Sequence, residues 1–178
     1  RAQCLQCHDP VVSALGPRTQ GLNADFTYPQ SGVTDNQLRA WNHVGLLAPA
    51  LAEPDIATLP RSVATADPTA SLEARARGWL DANCGYCHRP DTGNRGQFDA
   101  RVTTPLVDQG LVYGQPIDDL GVPDASYVHP GDLTKSLVHL RASSTGTVGM
   151  PPLAKTLVDQ AGVAVLAAWI ERIDPGFP

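Results

Sequence analysis

Cys84-Gly85-Tyr86-Cys87-His88 follows a C-x-x-C-H pattern, and Cys4-Leu5-Gln6-Cys7-His8 repeats it near the start of the sequence. The two stretches contain all four cysteines of the 178 residues. A C-x-x-C pair alone fits a disulfide, a thioredoxin-like redox pair or half of a four-cysteine zinc site. Under each of those interpretations, a histidine directly after the second cysteine in both copies is a coincidence.

The C-x-x-C-H pattern is typical of covalent attachment of a c-type haem. Two thiols at this spacing can form thioethers with the two vinyl groups along one haem edge, and the next residue then places an imidazole under the iron. The sequence therefore predicts two covalently attached haem c groups, each with one histidine bound to iron. The residues predicted to hold them are Cys4, Cys7 and His8 for the first haem and Cys84, Cys87 and His88 for the second.

The composition of the chain argues against some classes of binding partner. The net charge is −5, which argues against a nucleic-acid backbone or an anionic lipid surface as the partner. Glycine and proline number 16 each, while aromatic residues make up only 6%, so we expect a loop-rich chain. The longest apolar run, residues 163–170, is far shorter than the roughly 20 residues that span a bilayer, so no membrane-spanning helix is expected.

A proline-rich stretch divides the sequence. Residues 48–70 contain four prolines and no helical apolar period, which predicts a linker between a haem-binding unit at 1–47 and a second unit at 71–178. Each unit contains one C-x-x-C-H motif, so the chain reads as a degenerate tandem repeat whose first copy is truncated. Since there is no starting Met, we expect a mature form or a fragment.

Three helices are predicted from capping signals. Ser71 is a candidate N-cap for a helix that delivers Cys84 at its end. Asp159 is a candidate N-cap for a last helix, which is apolar almost all round and is therefore expected to be buried or covered by a partner. In the first unit, residues 34–37 read as a capping box that opens a short helix.

The second unit, residues 71–173, resembles the class I cytochrome c family. The resemblance is carried by a helix leading into Cys84–His88, by the loop Val148-Gly149-Met150-Pro151-Pro152-Leu153 and by the closing helix. It implies an all-α fold, with cytochrome c-like helices wrapped round a covalent haem and crossing through small and aromatic residues. It also implies that Met150, the only methionine, is the distal iron ligand. The positions that the resemblance implies for this crossing are Ala76, Leu80, Leu166 and Trp169, with Ala76 standing where the family often has Gly.

Three further segments, residues 97–101, 127–132 and 136–141, resemble cytochrome domains fused to bacterial dehydrogenases. This resemblance implies redox partner proteins, either a dehydrogenase or a further cytochrome, and self-association is compatible with the apolar last helix. Haem attachment of this kind takes place, in bacteria, outside the cytoplasmic membrane. We therefore expect a periplasmic or extracellular bacterial protein.

The distal ligand of the first haem is less constrained, because residues 1–83 contain no methionine. We predict His43, which lies inside the first-unit helix. His129, His139 and an open or water-bound iron stay as alternatives. A His/His first haem would have a lower reduction potential than a His/Met second haem and would donate electrons to it.

The predicted function is single-electron transfer by two haems, with no substrate turned over. An alternative is a small dihaem peroxidase-like enzyme in which the first haem has an open distal side. Another is an electron-wiring subunit of a larger complex or filament.

Overall fold

A computed structural model describes residues 5, 8, 10–12, 14–93 and 96–178 of the chain. These residues form two bodies. The small body is Gly16–Ser62, and the large body is Val63–Pro178 together with the described residues up to Leu15. That 1–47 and 71–178 are separate functional units stays a prediction.

The described residues contain six α-helices, two β-strands and a 3₁₀ helix between the fourth and fifth α-helices. The small body holds the first three helices and both strands, and the large body holds the rest. In chain order the elements are α1 (Thr19–Leu22), β1 (Asp25–Thr27), β2 (Thr34–Asn36), α2 (Gln37–His43), α3 (Glu53–Ile56), α4 (Leu72–Asn83), the 3₁₀ helix (Leu106–Asp108), α5 (Leu137–Ala142) and α6 (Gln160–Ile170).

The prediction of an all-α fold is wrong. Of the six helices in the described part of the chain, α1 and α3 have only four residues each, and β1 pairs with β2 in an antiparallel sheet. Frequent glycine and proline explain the short helices, because proline lacks an amide donor and glycine loses the most backbone entropy on ordering. The extended strands form beside them, where Thr27 and Thr34 pair across the hairpin with hydroxyl oxygens 2.8 Å apart.

The capping-box prediction for the first helix is also wrong. Thr34 and Asp35 lie in β2, and the N-cap of α2 is Asn36, whose side-chain oxygen accepts a hydrogen bond from the Leu38 amide at 2.9 Å. The strand includes the first three residues of the box, because Thr34, Asp35 and Asn36 all pair across the hairpin. Helix α2 therefore starts at Gln37.

The small body is organised around a buried amide. The Asn23 side chain is 6% exposed and donates hydrogen bonds to the carbonyls of Ile56 and Leu59 at 3.0 and 2.9 Å. The Asn23 side-chain oxygen accepts a hydrogen bond from the side-chain nitrogen Nδ2 of Asn36 at 2.9 Å. The two buried apolar residues of this body are Leu38 and Ile56, and Ile56 lies within the predicted linker. A small body with little apolar surface therefore depends on directed hydrogen bonds.

The large body is built on the packing of α4 against α6. Both predicted N-caps are confirmed: Ser71 accepts from the Ala74 amide at 3.1 Å, and Asp159 accepts from the Gly162 amide at 3.0 Å. The Trp79 indole on α4 donates to the Asp159 carboxylate at 2.7 Å, so the cap of one helix also fastens the other. The core of this body comprises Ala76, Trp79, Leu80, Phe98, Ala100, Leu111, Tyr127, Val128, Val138, Leu166, Trp169, Ile170 and Ile173.

Loops complete the large body. Segments near residues 112, 128 and 137 exchange backbone hydrogen bonds, including Tyr113 N–H to the Val128 carbonyl at 2.9 Å and Val138 N–H to the Tyr127 carbonyl at 3.0 Å. These bonds satisfy buried backbone groups where no long strand forms. In the part of the chain that the structure describes, no helix is long and apolar enough to cross a membrane.

Candidate haem-binding site

Helix α4 delivers the second cysteine motif. Cys84 is the C-cap of α4, and its amide donates to the Leu80 carbonyl at 2.8 Å. The Cys84 carbonyl then accepts from the amides of Cys87 and His88 at 3.1 and 2.8 Å. One further turn of backbone therefore holds both cysteines and the histidine close together at the end of a core helix, as the sequence predicts for Cys84.

Burial keeps the first thiol of this motif protonated. Burial of its sulfur is the main reason that the pKa of Cys84 is raised to about 12, and the neighbouring Cys87 raises it further. Lys155 acts in the opposite direction and lies close enough to affect the Cys84 pKa. Cys84 and Cys87 form no disulfide in the part of the chain that the structure describes.

The environment of His88 suits a metal ligand. Burial is the main reason that its pKa is lowered to about 4, so the imidazole is neutral at pH 7. Its Nδ1 lies 3.4 Å from the Gly96 carbonyl oxygen, which can only accept, so Nδ1–H is the donor. Nε2 then carries the lone pair that a metal binds, and the carbonyl fixes the tautomer and the ring orientation.

An aromatic group supports the same imidazole. The Phe98 ring stacks on His88 with centroids 4.2 Å apart and an interplanar angle of 18°. Tyr127 packs against Phe98 at 4.8 Å, and its hydroxyl accepts from the Gln97 amide at 3.0 Å. The His88 ring is therefore held between a backbone carbonyl and the hydrophobic core.

Met150 lies in a loop fastened to the end of α5. Its amide donates to the Arg141 carbonyl at 3.1 Å, and its side chain is 37% exposed. The nearby Val148 and Leu153 are each 39% exposed. Arg141 also lowers the pKa of His88 through its positive charge, as the smallest of the causes after burial and the Gly96 hydrogen bond. Exposed apolar side chains beside a candidate iron ligand fit a surface that is covered when an apolar cofactor binds.

These residues fit a covalently attached haem. The donor set consists of two cysteines in one turn, a neutral imidazole with its second nitrogen hydrogen-bonded, and a thioether. A soft thioether and a neutral imidazole are ligands that haem iron accepts. The roles of Cys84, Cys87, His88 and Met150 stay predictions.

The predicted residues of the first haem are described only in part. Cys4 and Cys7 lie outside the described residues, and His8 is exposed in the large body. His43 is the last residue of α2 in the small body and is half-buried. The Asp35 pKa is lowered, chiefly by a hydrogen bond from Arg39 and to a smaller extent by the charge of His43. His43 therefore acts electrostatically on Asp35. Its role as an iron ligand stays a prediction.

The two alternative histidines lie in the large body. The His129 ring meets Tyr113 edge-on at 5.4 Å, and its buried Nδ1 has no hydrogen-bond partner among the described residues. The same holds for Nδ1 of His139 on α5. Neither observation selects a ligand for the first haem.

Sequence reasoning missed several supporting residues. Gly96 contributes a backbone carbonyl, which no side-chain pattern reveals. Phe98 is one of three phenylalanines in the chain, and this scarcity was the available signal. Arg141 appears in the sequence only within the segment 136–141, and nothing in that pattern reveals that its guanidinium pairs with Asp118 at 3.0 Å.

No protein-family model, curated protein or solved structure matches the chain.

Proposed function

We propose that this chain is a dihaem c-type cytochrome that carries single electrons. In the second site, Cys84 and Cys87 would attach the haem, and His88 and Met150 would bind its iron. The observation that supports this most is the state of His88, which is neutral at pH 7 and has Nδ1 held by the Gly96 carbonyl.

Haem iron, when bound, supplies reversible one-electron oxidation and reduction. The residues of the chain supply the environment for it. Phe98 and Gly96 fix the orientation of His88, and burial keeps the imidazole unprotonated. A methionine opposite a histidine raises the reduction potential relative to a second histidine.

If His88 and Met150 both bind the iron, no position is left on it for a substrate at the second site. This supports electron carriage in preference to catalysis there. The partners proposed are other redox proteins, either a dehydrogenase or a further cytochrome, which exchange electrons without being chemically altered. The proposed location is the bacterial periplasm or the cell exterior, where this form of haem is attached.

We propose a haem site at the first C-x-x-C-H motif on the same chemical grounds. Cys4 and Cys7 would attach a second haem, and His8 and His43 would bind its iron. Two imidazole ligands would give this haem the lower potential, so it would donate electrons to a haem held by His88 and Met150. A spectroelectrochemical titration tests the order of the two potentials.

Intact mass tests the proposal directly. The chain is produced in a bacterial host with the cytochrome maturation machinery, and its mass is measured after denaturation in acid acetone, which removes non-covalent haem. The expected mass exceeds that of the polypeptide by two haem groups. The same chain from a host without that machinery is the control and should gain nothing.

The other outcomes of the mass measurement are also informative. A gain of one haem confines the cytochrome to one motif, which peptide mapping identifies. A colourless product of unchanged mass from the competent host contradicts the proposal. A near-infrared sulfur-to-iron charge-transfer band in the oxidised protein tests Met150 separately.

A further inference from the structure

Arg141 joins three segments of the large body around the Met150 loop. Its Nη1 donates to the Val148 carbonyl at 3.1 Å, and its Nη2 lies 3.0 Å from the Asp118 carboxylate. Its own carbonyl accepts from the Met150 amide at 3.1 Å. A single residue on α5 therefore holds the loop at Met150 and two residues before it.

The two contacts of the Arg141 side chain depend on the forked shape of its guanidinium group. Two nitrogens of one planar group contact different acceptors at the same time, which a lysine ammonium on a flexible stem does not reproduce. The Arg141 side chain is 18% exposed and the Asp118 side chain is 63% exposed, so the guanidinium, but not the carboxylate, is partly shielded from water. By contrast, Lys135 and Asp124 are 3.7 Å apart and their side chains are 35% and 84% exposed.

The loop is fastened on its other side as well. Lys155 Nζ donates to the carbonyls of Arg141 and Ala142, both at 2.9 Å, and so satisfies carbonyls at the end of α5. Before Met150, the Gly149 amide donates to the Gly146 carbonyl at 2.9 Å. A Cβ at position 149 would collide with the Ser144 carbonyl oxygen. The loop therefore has little freedom on either side of the methionine.

We infer that Arg141 is the positioning residue for Met150, with Asp118 holding the Arg141 guanidinium in place. The inference rests on the proposed function, since Met150 matters as an iron ligand only if the haem is bound. Arg141 acts through the backbone of Val148 and Met150 and does not itself bind iron. Without it, the loop that presents the sulfur opens more often.

The experiment compares variants of the haem-loaded protein. Arg141→Gln removes the fork and its charge, whereas Arg141→Lys keeps the charge and loses the fork. Lys135→Gln is the matched control, because it removes one positive charge from an exposed pair in the same body. Asp118→Asn keeps Arg141 and its bond to Val148, removes the charge of the ion pair and leaves a side-chain oxygen to accept from the Leu120 amide.

Two readouts separate positioning from stability. The first is the near-infrared sulfur-to-iron band of the oxidised protein, which reports Met150 ligation. The second is the rate at which added imidazole replaces the methionine, which reports loop opening. Loss of one hydrogen bond to a charged group makes opening about tenfold more frequent. Thermal unfolding, followed by far-ultraviolet circular dichroism, shows whether each variant is folded.

We expect Arg141→Gln to weaken the sulfur band and to take up imidazole about tenfold faster. Arg141→Lys should show a smaller change in the same direction, Asp118→Asn a smaller one still, and Lys135→Gln none. If Arg141→Gln proves unfolded, Arg141→Lys and Asp118→Asn carry the test.

Two results overturn the inference while the proposed function stands. One is a wild-type band and imidazole rate in both Arg141 variants. The other is an equal change in Lys135→Gln and Arg141→Gln, which would mean that charge alone matters. A wild-type protein that carries haem but has no sulfur band contradicts Met150 ligation itself, and the inference is overturned with it.

Discussion

The two C-x-x-C-H motifs have the same residue types at the same spacing, but their histidines have different surroundings. His88 is half-buried, stacks on Phe98 and is hydrogen-bonded to the Gly96 carbonyl, and its pKa is lowered to about 4. His8 is exposed. The predicted distal ligands differ too, since Met150 lies in a loop fastened to α5 and His43 ends the seven-residue helix α2.

This difference shows that covalent attachment of a haem and adjustment of its reduction potential depend on different features of the chain. The pattern of cysteines and histidine is sufficient to predict where a haem is joined to the chain. The reduction potential depends on the second ligand, on burial and on hydrogen bonds around the ligands, which the pattern does not contain. The second site has that support in the described residues, and four predictions test how far the two sites differ.

The largest effect is expected from removing the cysteines of one motif at a time. Cys84→Ser with Cys87→Ser should lower the intact mass by one haem and abolish the sulfur-to-iron band, because the haem opposite Met150 is lost. Cys4→Ser with Cys7→Ser should also lower the mass by one haem but leave that band intact. If the second double variant keeps two haems, the first motif is not an attachment site.

Replacing the distal ligands distinguishes the two irons. Met150→Ala should remove the sulfur band and lower one reduction potential by on the order of 0.1 V, within the ~0.8 V range that axial ligands cover. His43→Ala should leave the band and that potential unchanged and alter only the other haem. Redox titration followed by absorption measures both, and an unchanged titration in His43→Ala rejects His43 as a ligand.

The helix crossing that supports the second site should be sensitive to one methyl group. A Cβ at Gly162 on α6 would collide with the Trp79 indole on α4, so Gly162→Ala should lower the free energy of unfolding by about 1–3 kcal/mol. In the small body, Gly21 has nothing within 4 Å of a Cβ, and Gly21→Ala is the matched control. It should raise stability by up to about 1 kcal/mol. Urea unfolding of the haem-loaded protein measures both, and equal effects would contradict the packing.

The smallest effect concerns pH. The Asp159 pKa is lowered from 3.8, first by the Gly162 amide and then by the Trp79 indole, so its stabilising contribution is complete above that value. It is lost as pH falls through the lower pKa of the folded state. Because the carboxylate is exposed, Asp159→Asn should cost at most about 1 kcal/mol at pH 7.

The difference between Asp159→Asn and the wild type should shrink as the pH is lowered from about 5. Urea unfolding at several pH values checks this expectation. Asp108→Asn, at an exposed position outside the α4–α6 packing, is the control and should show no such trend. A cost that does not change with pH would mean that the carboxylate charge is not what Asp159 contributes.

Local signals predicted the large body best. Ser71 and Asp159 cap α4 and α6 as expected, because a cap depends on a few adjacent residues. The crossing residues Ala76 and Trp169 are buried in one core, but the close approach of Gly162 to Trp79 was not anticipated. The small body was predicted poorly, because hairpin pairing changed the role of the residues before α2.

The sequence by itself determined the candidate chemistry: two cysteine pairs each followed by a histidine, and one methionine in a G-M-P-P loop. The spacing of the two cysteines and the histidine is a property of the sequence itself, so it can be recognised without knowing the fold. Only the tertiary structure decided that Gly96 and Phe98 support His88 and that Arg141 fastens the Met150 loop. Those contacts form across loops or use backbone atoms, so they depend on the path of the chain, which the residue pattern does not give.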